Sequence, residues 1–232
     1  MKKFAFIFAR GGSKGLPGKN LKVLRGKSLL QRAVEVARSA ECFEQIFLST
    51  DDAEIAQAGR QLDLEIIDRP QYLADDDSPE WLAWQHAIGT VKKLYGSFDV
   101  FVCLPVTSPL REVSDIKVAI AKAMQDRNSI CVGMTPSQRS PYFNMVSKCE
   151  GGQIQLICQP EEFIPGRQLA PKTYDLTTVI YAANPDLIEK TKALFNNRVY
   201  GIEIPKDRAV DIDDIYDFML ADSILAAKEN SC

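Results

Sequence analysis

Short apolar runs and longer amphipathic stretches alternate along this chain. Phe4–Phe8 is an apolar run of strand length that breaks into glycine-rich, charged sequence at Arg10. Leu29–Ala40 then has helical periodicity, with Leu29, Leu30, Ala33, Val34 and Ala37 on one face. Ile46–Ser49 predicts a second strand, and Thr50 or Asp51 is placed to cap a helix over Ala53–Leu62. Leu64–Ile67 predicts a third strand, closed by Arg69-Pro70. Pro79–Tyr95 predicts a helix with Trp81, Trp84, Ile88, Val91 and Tyr95 on one stripe. Asp99–Leu104 reads as a fourth, central strand, followed by a helix over Val113–Met124 and a strand at Ile130–Met134. Two late strands at Thr177–Ala183 and Val199–Ile204 precede a closing helix, Val210–Ala227, with an acidic start.

Repeated βα units imply parallel strands with right-handed crossovers, giving a mostly parallel, Rossmann-like α/β sheet with helices on both faces. Ligands of such sheets bind beyond the carboxyl ends of the strands. The loops after residues 8, 48, 67 and 104 are therefore expected to converge on one cleft, carrying Arg10–Asn20, Asp51, Arg69 and Thr107-Ser108. Between Thr135 and Lys172 the pattern changes: five prolines and Gly151-Gly152 interrupt it, and Met145–Lys148 and Gln153–Cys158 predict two arms of a hairpin. A projecting hairpin of this kind packs on a second subunit or acts as a lid. With no internal repeat, residues 1–232 read as a single domain with residues 138–172 as an inserted arm.

Composition narrows the classes. At 46% hydrophobic and 25% charged, the chain is neither disordered nor fibrous in character. A net charge of −3 without a long basic run argues against nucleic acid as partner. No apolar stretch approaches the roughly 20 residues that span a bilayer. The opening MKKFAFIFAR has too short an apolar run for a signal peptide and leads straight into the glycine-rich loop, so a cytoplasmic location is expected. The six cysteines (Cys42, Cys103, Cys131, Cys149, Cys158, Cys232) contain no C-x-x-C pair, and Cys103 and Cys131 read as buried thiols. His86, the only histidine, excludes most histidine-dependent triads and multi-histidine zinc sites; off the apolar stripe, it is expected at the surface.

The loop from Arg10 to Asn20 carries the chemistry. Gly11, Gly12, Gly15 and Gly18 allow main-chain N–H groups to approach an anion closely, while Arg10, Lys14 and Lys19 add positive charge. That combination suits a nucleoside triphosphate. The loop is not a dinucleotide fingerprint, because no G-x-G-x-x-G spacing occurs in it. Nor is it a P-loop, which would need glycine where Ser13 stands and Ser or Thr where Asn20 stands.

The segment ARGGSKGLPGKN, followed in order by LSTDD (48–52), DRP (68–70), TSPLR (107–111), RQLAP (167–171) and AVDIDD (209–214), resembles the CMP-acylneuraminate synthetase family of cytidylyltransferases. The resemblance implies a nucleotidyltransferase fold that transfers CMP from CTP to the anomeric hydroxyl of a nonulosonic acid, releasing pyrophosphate. It implies that Arg10, Gly11, Gly12, Ser13, Lys14 and Lys19 hold the triphosphate, and that Asn20 and Arg69 face cytosine and ribose. Thr107, Ser108 and Arg167 would lie at the sugar. Asp211 and Asp213 would bind Mg²⁺ and, with Arg10 and Lys19, form the catalytic set, leaving Asp214 as an acid at a helix start. It further implies that the arm forms a homodimer and reaches the neighbouring active site; pairing of dimers into tetramers stays open.

Two departures bear on the sugar. Pro105-Val106 stands before TSPLR where sialate enzymes have Gln-Pro, and Asp175-Leu176-Thr177-Thr178 replaces Arg-Pro-Asn-Gly. SPYFN (140–144) and RQLAPKTYD (167–175) are more similar to the branch that activates legionaminic acid for flagellin glycosylation. The alternatives are a cytidylyltransferase for another acidic sugar such as Kdo, and a non-catalytic nucleotide-binding homologue.

Overall fold

A computed structural model describes residues 1–160, 162 and 164–230; Ser231, Cys232 and two positions of the arm lie outside the described residues. In chain order the strands and α-helices are β1 (Lys3–Phe8), β2 (Val23–Leu24), β3 (Lys27–Ser28), α1 (Leu29–Ser39), β4 (Gln45–Thr50), α2 (Ala53–Gln61), β5 (Glu65–Asp68), α3 (Glu80–Tyr95) and β6 (Val100–Cys103). Then come α4 (Val113–Gln125), β7 (Ser129–Pro136), β8 (Val146–Lys148), β9 (Ile154–Leu156), β10 (Tyr174–Ala183), α5 (Pro185–Lys190), β11 (Arg198–Glu203) and α6 (Ile215–Glu229).

Seven strands form one sheet in the order β11-β7-β10-β6-β1-β4-β5. Six run parallel; β10 alone is inverted, antiparallel to β6 on one side and β7 on the other. Period-two alternation splits the core into two layers. Ala5 and Ile7 of β1, with Val100 and Val102 of β6, pack among residues of α1, α2, α4 and α6. Phe4, Phe6, Phe101 and Cys103 face the other way, into an aromatic layer with Trp81, Trp84 and Ile88 of α3 and Ile188 of α5. Cys103 and Cys131 are fully buried thiols, as their apolar surroundings predict.

Between Leu176 and Tyr181 the pairing of β10 with β7 slips. Partners move two residues along β7 while β10 advances five, so extra residues bulge out and aim side chains off the ladder. Gly133 makes room for this: a Cβ there would sit 2.6 Å from the Thr177 hydroxyl oxygen. The hairpin predicted in the arm forms as β8 and β9, antiparallel, joined through a short 3-10 turn at Glu150–Gly152. The hairpin leaves Val146 and Ile154 largely exposed.

Four expectations need correction. The closing helix starts at Ile215, not Val210, because Asp214 accepts hydrogen bonds from the backbone N–H groups of Tyr216 and Asp217 while Asp217 reaches back in a capping box. Residues 210–214 are therefore extended chain. Helix α2 is capped by Asp52, not Thr50 or Asp51; its carboxylate accepts from Glu54 and Ile55 N–H, leaving Asp51 for another role. His86 is half-buried rather than at the surface, and its Nδ1 is enclosed without a hydrogen-bond partner. Burial, with the nearby Arg69 charge, holds its pKa below the ordinary histidine value. Tyr95 lies on the predicted stripe but is 38% exposed. The N-terminal helix α1, by contrast, has its predicted face, with Ser28 accepting from Gln31 N–H as cap.

Asp214→Ala removes a cap and should cost about 1 kcal/mol of stability. Asp214→Asn should recover most of it; urea denaturation of the two variants checks the assignment.

Candidate active site

The carboxyl ends of β1, β4, β5 and β6 open on one side of the sheet, and the chain that follows each is irregular. Above them lies a cleft of about 570 Å³. Its lining includes Arg10, Ser13, Lys14, Lys19 and Asn20 from the first loop and Arg69 after β5. Thr107 after β6, with Asp211 and Asp213 from the extended chain before α6, completes the far wall. The predicted convergence is thus observed, with two members, Asp51 and Ser108, set behind the lining. Asp51 does not line the cleft; it accepts a hydrogen bond from Gly11 N–H at 3.0 Å and so holds the loop's backbone from behind.

Conformation explains the glycines of the first loop. Gly12 and Gly18 have φ of +68° and +65°, in the left-handed region where a side chain would be strained. Gly15 is needed for close approach, since a Cβ there would fall inside contact distance of the Asp213 carbonyl oxygen. Gly11, Gly12 and Gly18 line a smaller adjoining cavity of about 160 Å³ that also touches Ser13, Lys19 and Asn20. The loop ends in a turn of 3-10 helix over Lys19–Leu21, where Asn20 is buried and its amide donates to the Arg10 carbonyl at 2.9 Å.

Lys19 joins the two ends of the chain. Its Nζ donates to the Ile212 carbonyl at 2.7 Å and lies 3.3 Å from an Asp213 carboxylate oxygen. Ile212 N–H in turn donates to the Thr107 carbonyl at 2.8 Å. Arg69 is buried, fixed by donation to the Ser49 hydroxyl at 3.2 Å and the Ser49 carbonyl at 2.7 Å. Its guanidinium lies 5.6 Å from the centre of the Phe8 ring, a cation–π arrangement that walls one end of the cleft. Burial depresses its pKa, although the guanidinium stays charged at any physiological pH.

The acidic side of the cleft has two environments. Asp213 is exposed, whereas one oxygen of Asp211 is buried and has no hydrogen-bond partner. Burial raises the Asp211 pKa; the Thr107 and Thr178 hydroxyls pull it back, Asp213 raises it further, and Lys19 lowers it. A buried carboxylate oxygen left unsatisfied beside a second carboxylate suits a hard divalent cation, which takes oxygen ligands and needs only one or two carboxylates where phosphates complete its shell. Among the described residues no group of three or more His, Cys, Asp or Glu side chains is placed to hold a metal ion.

Several cleft residues were not anticipated. Thr178, delivered by the β10 bulge, hydrogen-bonds Ser108 Oγ at 2.8 Å and sits 3.4 Å from Thr107 Oγ1. Ser108 itself is buried behind the lining. Glu80 also lines the cleft, with its side chain exposed at the start of α3. Asp75 and Asp76 lie opposite the first loop. The Ser-Pro pair before α3 and the acidic run Asp75–Asp77 were the available signals. Arg111, fully buried behind the cleft, donates to the Val179 and Pro105 carbonyls, bracing both walls; burial lowers its pKa to about 10.

Arg167 is not brought to this cleft. It lies in a separate cavity of about 380 Å³ on the arm side of the molecule, with Arg139 and Lys172 nearby, and donates to the Ser137 carbonyl at 2.7 Å.

Residues 4–149 match the cytidylyltransferase family. The chain belongs to that family. It is 28% identical to CMP-N,N'-diacetyllegionaminic acid synthase of Campylobacter jejuni, over 97% of this chain and 95% of that protein. It is 26% identical to post-translational flagellin modification protein B of Campylobacter coli, over 96% and 94%. Among solved structures, a CMP-2-keto-3-deoxy-manno-octonic acid synthetase complexed with CTP superposes with a TM-score of 0.72 at 17% identity, covering 98% of this chain and all of that one. The likeness confirms a nucleotidyltransferase fold. As a cytidylyltransferase, the protein is an enzyme whose first loop and acidic segment share one cleft.

The buried Asp211 charge has a stability consequence. Its folded-state pKa lies above that of an unfolded aspartate, so whatever stability it confers is complete only below the unfolded value and is lost as pH rises through the folded one. Asp211→Asn should therefore stabilise the metal-free protein at neutral pH by on the order of 1 kcal/mol. The gain should shrink as the pH is lowered from neutral to acidic, because the wild-type carboxylate then takes up its own proton. Urea denaturation in EDTA at neutral and acidic pH measures it.

Proposed function

We propose that the enzyme transfers CMP from CTP to the anomeric hydroxyl of a nonulosonic acid, giving a CMP-sugar and pyrophosphate, and that the sugar is of the 5,7-diamino, legionaminic type. The observation that carries this reading is the single cleft in which Lys19, at the end of the glycine-rich loop, touches the Ile212–Asp213 segment. The legionaminate relative, similar over nearly its whole length, supports the sugar class.

In this reading Arg10, Ser13, Lys14 and Lys19 bind the triphosphate, with the amide of Gly12 on its outer side, while that of Gly11 stays bonded to Asp51 behind the loop. Asn20 and Arg69 hold cytosine and ribose. Both are buried and already hydrogen-bonded, so they meet the nucleoside with little loss of side-chain freedom. Asp211 and Asp213 would hold Mg²⁺, which when bound supplies charge neutralisation at the phosphates and acidifies the attacking hydroxyl. The chain's own residues then orient the α-phosphate for in-line attack, with Lys19 beside the charge that develops on the departing pyrophosphate. Thr107, and Thr178 backed by Ser108, would present hydroxyls to the sugar.

Arg167, set apart from the cleft of its own chain, fits a homodimer in which the arm, residues 138–172, carries it to the cleft of the partner. No helix among the described residues is long and apolar enough to cross a membrane, in keeping with a cytoplasmic enzyme.

The deciding experiment is pyrophosphate release from CTP and Mg²⁺ with a panel of N-acetylneuraminate, N,N'-diacetyllegionaminate, pseudaminate and Kdo. The highest kcat/KM is expected with N,N'-diacetyllegionaminate. A preference for Kdo would replace the sugar class, and CTP binding without release for any sugar would make the protein a non-catalytic homologue. Asp211→Asn should lower kcat by at least ~100-fold while CTP binding persists. Arg167→Ala should raise the KM for the sugar far more than that for CTP; equal effects would remove Arg167 from the sugar site.

A further inference from the structure

The two most exposed cations of the first loop are already engaged. Arg10 Nη2 pairs with an Asp76 carboxylate oxygen at 2.8 Å, and Lys14 Nζ pairs with the other oxygen of the same carboxylate. Arg10 Nη1 also donates to the Ala74 carbonyl at 3.0 Å. One acidic side chain thus spans two of the groups assigned to the triphosphate. The segment that carries it is built like a strap. Leu73 and Ala74 are buried at one end and Trp81 at the other, while Asp75 to Pro79 run across the mouth of the cleft with Asp75, Asp76 and Asp77 exposed. A turn, Ser78 N–H to the Asp75 carbonyl at 3.1 Å, shapes the exposed part.

A phosphate chain lying against Arg10 and Lys14 would meet the Asp76 carboxylate on the same side of the cleft. Like charges that close repel, so carboxylate and phosphate compete for the same two cations. From this geometry we infer that Asp76 is a placeholder for the triphosphate: it holds Arg10 and Lys14 spread and oriented in the free enzyme, and it must give them up when CTP or pyrophosphate binds. Asp76 therefore sets the affinity of the loop for polyphosphate and assists departure of the pyrophosphate product by returning to its cations. The inference rests on the assignment of Arg10 and Lys14 to the triphosphate. Support comes from the Asp76 carboxyl, whose pKa is held down by hydrogen bonding to Lys14 and by the charges of Lys14 and Arg10, so it enters this contact ionised.

Both ion pairs are solvent-exposed, so the competition is modest: relief of it should tighten binding about three- to fivefold. The test is calorimetric titration of the full-length protein with CTP and with inorganic pyrophosphate, in low salt without divalent metal. Asp76→Asn should tighten both ligands by that factor, and the gain should fade near 0.5 M salt as screening shortens the reach of the pair. Asp77→Asn, beside it but outside the cleft lining, should change neither. Hydrogen exchange of the amides of residues 74–78 should speed up on adding pyrophosphate to the wild type and be fast from the start in Asp76→Asn. Unchanged or weakened binding in Asp76→Asn overturns the placeholder, weakened binding meaning that Asp76 helps to hold the ligand. If Arg10→Ala and Lys14→Ala leave pyrophosphate affinity unaltered, the assignment of the loop itself falls, and the placeholder with it.

Discussion

The contact of Lys19 with the Ile212–Asp213 segment is the constraint on which the site depends. It joins residues 194 positions apart, and the loop before it is shaped by left-handed glycine turns and close approach rather than by secondary structure. Gly12 and Gly18 supply the left-handed turns, Gly15 lets the loop lie against the Asp213 carbonyl, and the ammonium closes the join. Ile212 N–H on the Thr107 carbonyl ties the same segment to the loop after β6. Three stretches far apart in sequence thereby share one wall. A side-chain ammonium bonded to a main-chain carbonyl places the Asp211–Asp213 stretch without consuming both carboxylates, leaving Asp211 with a free buried oxygen.

The inverted strand is the second structural device. A sheet of parallel strands alone would end β6 at the cleft with nothing opposite. Insertion of β10 antiparallel between β6 and β7 brings chain to the same edge from the other direction, and the bulge before Tyr181 turns Thr178 toward Thr107 and Ser108. Arg111 then fastens the two elements from beneath through carbonyls on both, at the expense of one guanidinium nitrogen left buried without a partner. Such an unsatisfied donor is tolerated where geometry at a site matters more than local stability.

Most of the sheet and the first loop were legible because they rest on local patterns: apolar runs of strand length, helical stripes, and glycines beside cations. The readable part of the site was the part carried by one contiguous segment. What escaped depended on competition between neighbours or on tertiary register. Asp52 outbid Thr50 and Asp51 as cap because Asp51 is taken by Gly11 N–H and the Thr50 hydroxyl accepts from Asp52 N–H. The start of α6 was misplaced because Val210 and Ile212 are apolar at plausible helical positions, yet both are buried in extended chain. Helix α5 was missed although Asn184-Pro185 is a cap followed by a proline suited to the first turn. The register slip that delivers Thr178 leaves no trace in Thr177-Thr178 themselves. Its clue is Gly133 on the neighbouring strand, which no reading of β10 alone could supply.

The charge of the cleft bears on how it can bind a polyanion at all. Its lining carries four cations, Arg10, Lys14, Lys19 and Arg69, against five carboxylates. A basic pocket would attract any phosphate without discrimination; this one is of mixed sign and nearly balanced. Arg69 is spent on Ser49 and the Phe8 ring, Lys19 on the acidic segment, and Arg10 and Lys14 on the strap. Each cation is thus held in place by a partner that a ligand must either replace or neutralise. Orientation is fixed before binding, which favours catalysis, and raw electrostatic pull is surrendered in exchange, which favours release of a highly charged product. An enzyme that must let go of pyrophosphate after every turnover is better served by that arrangement than by an uncompensated cluster of lysines.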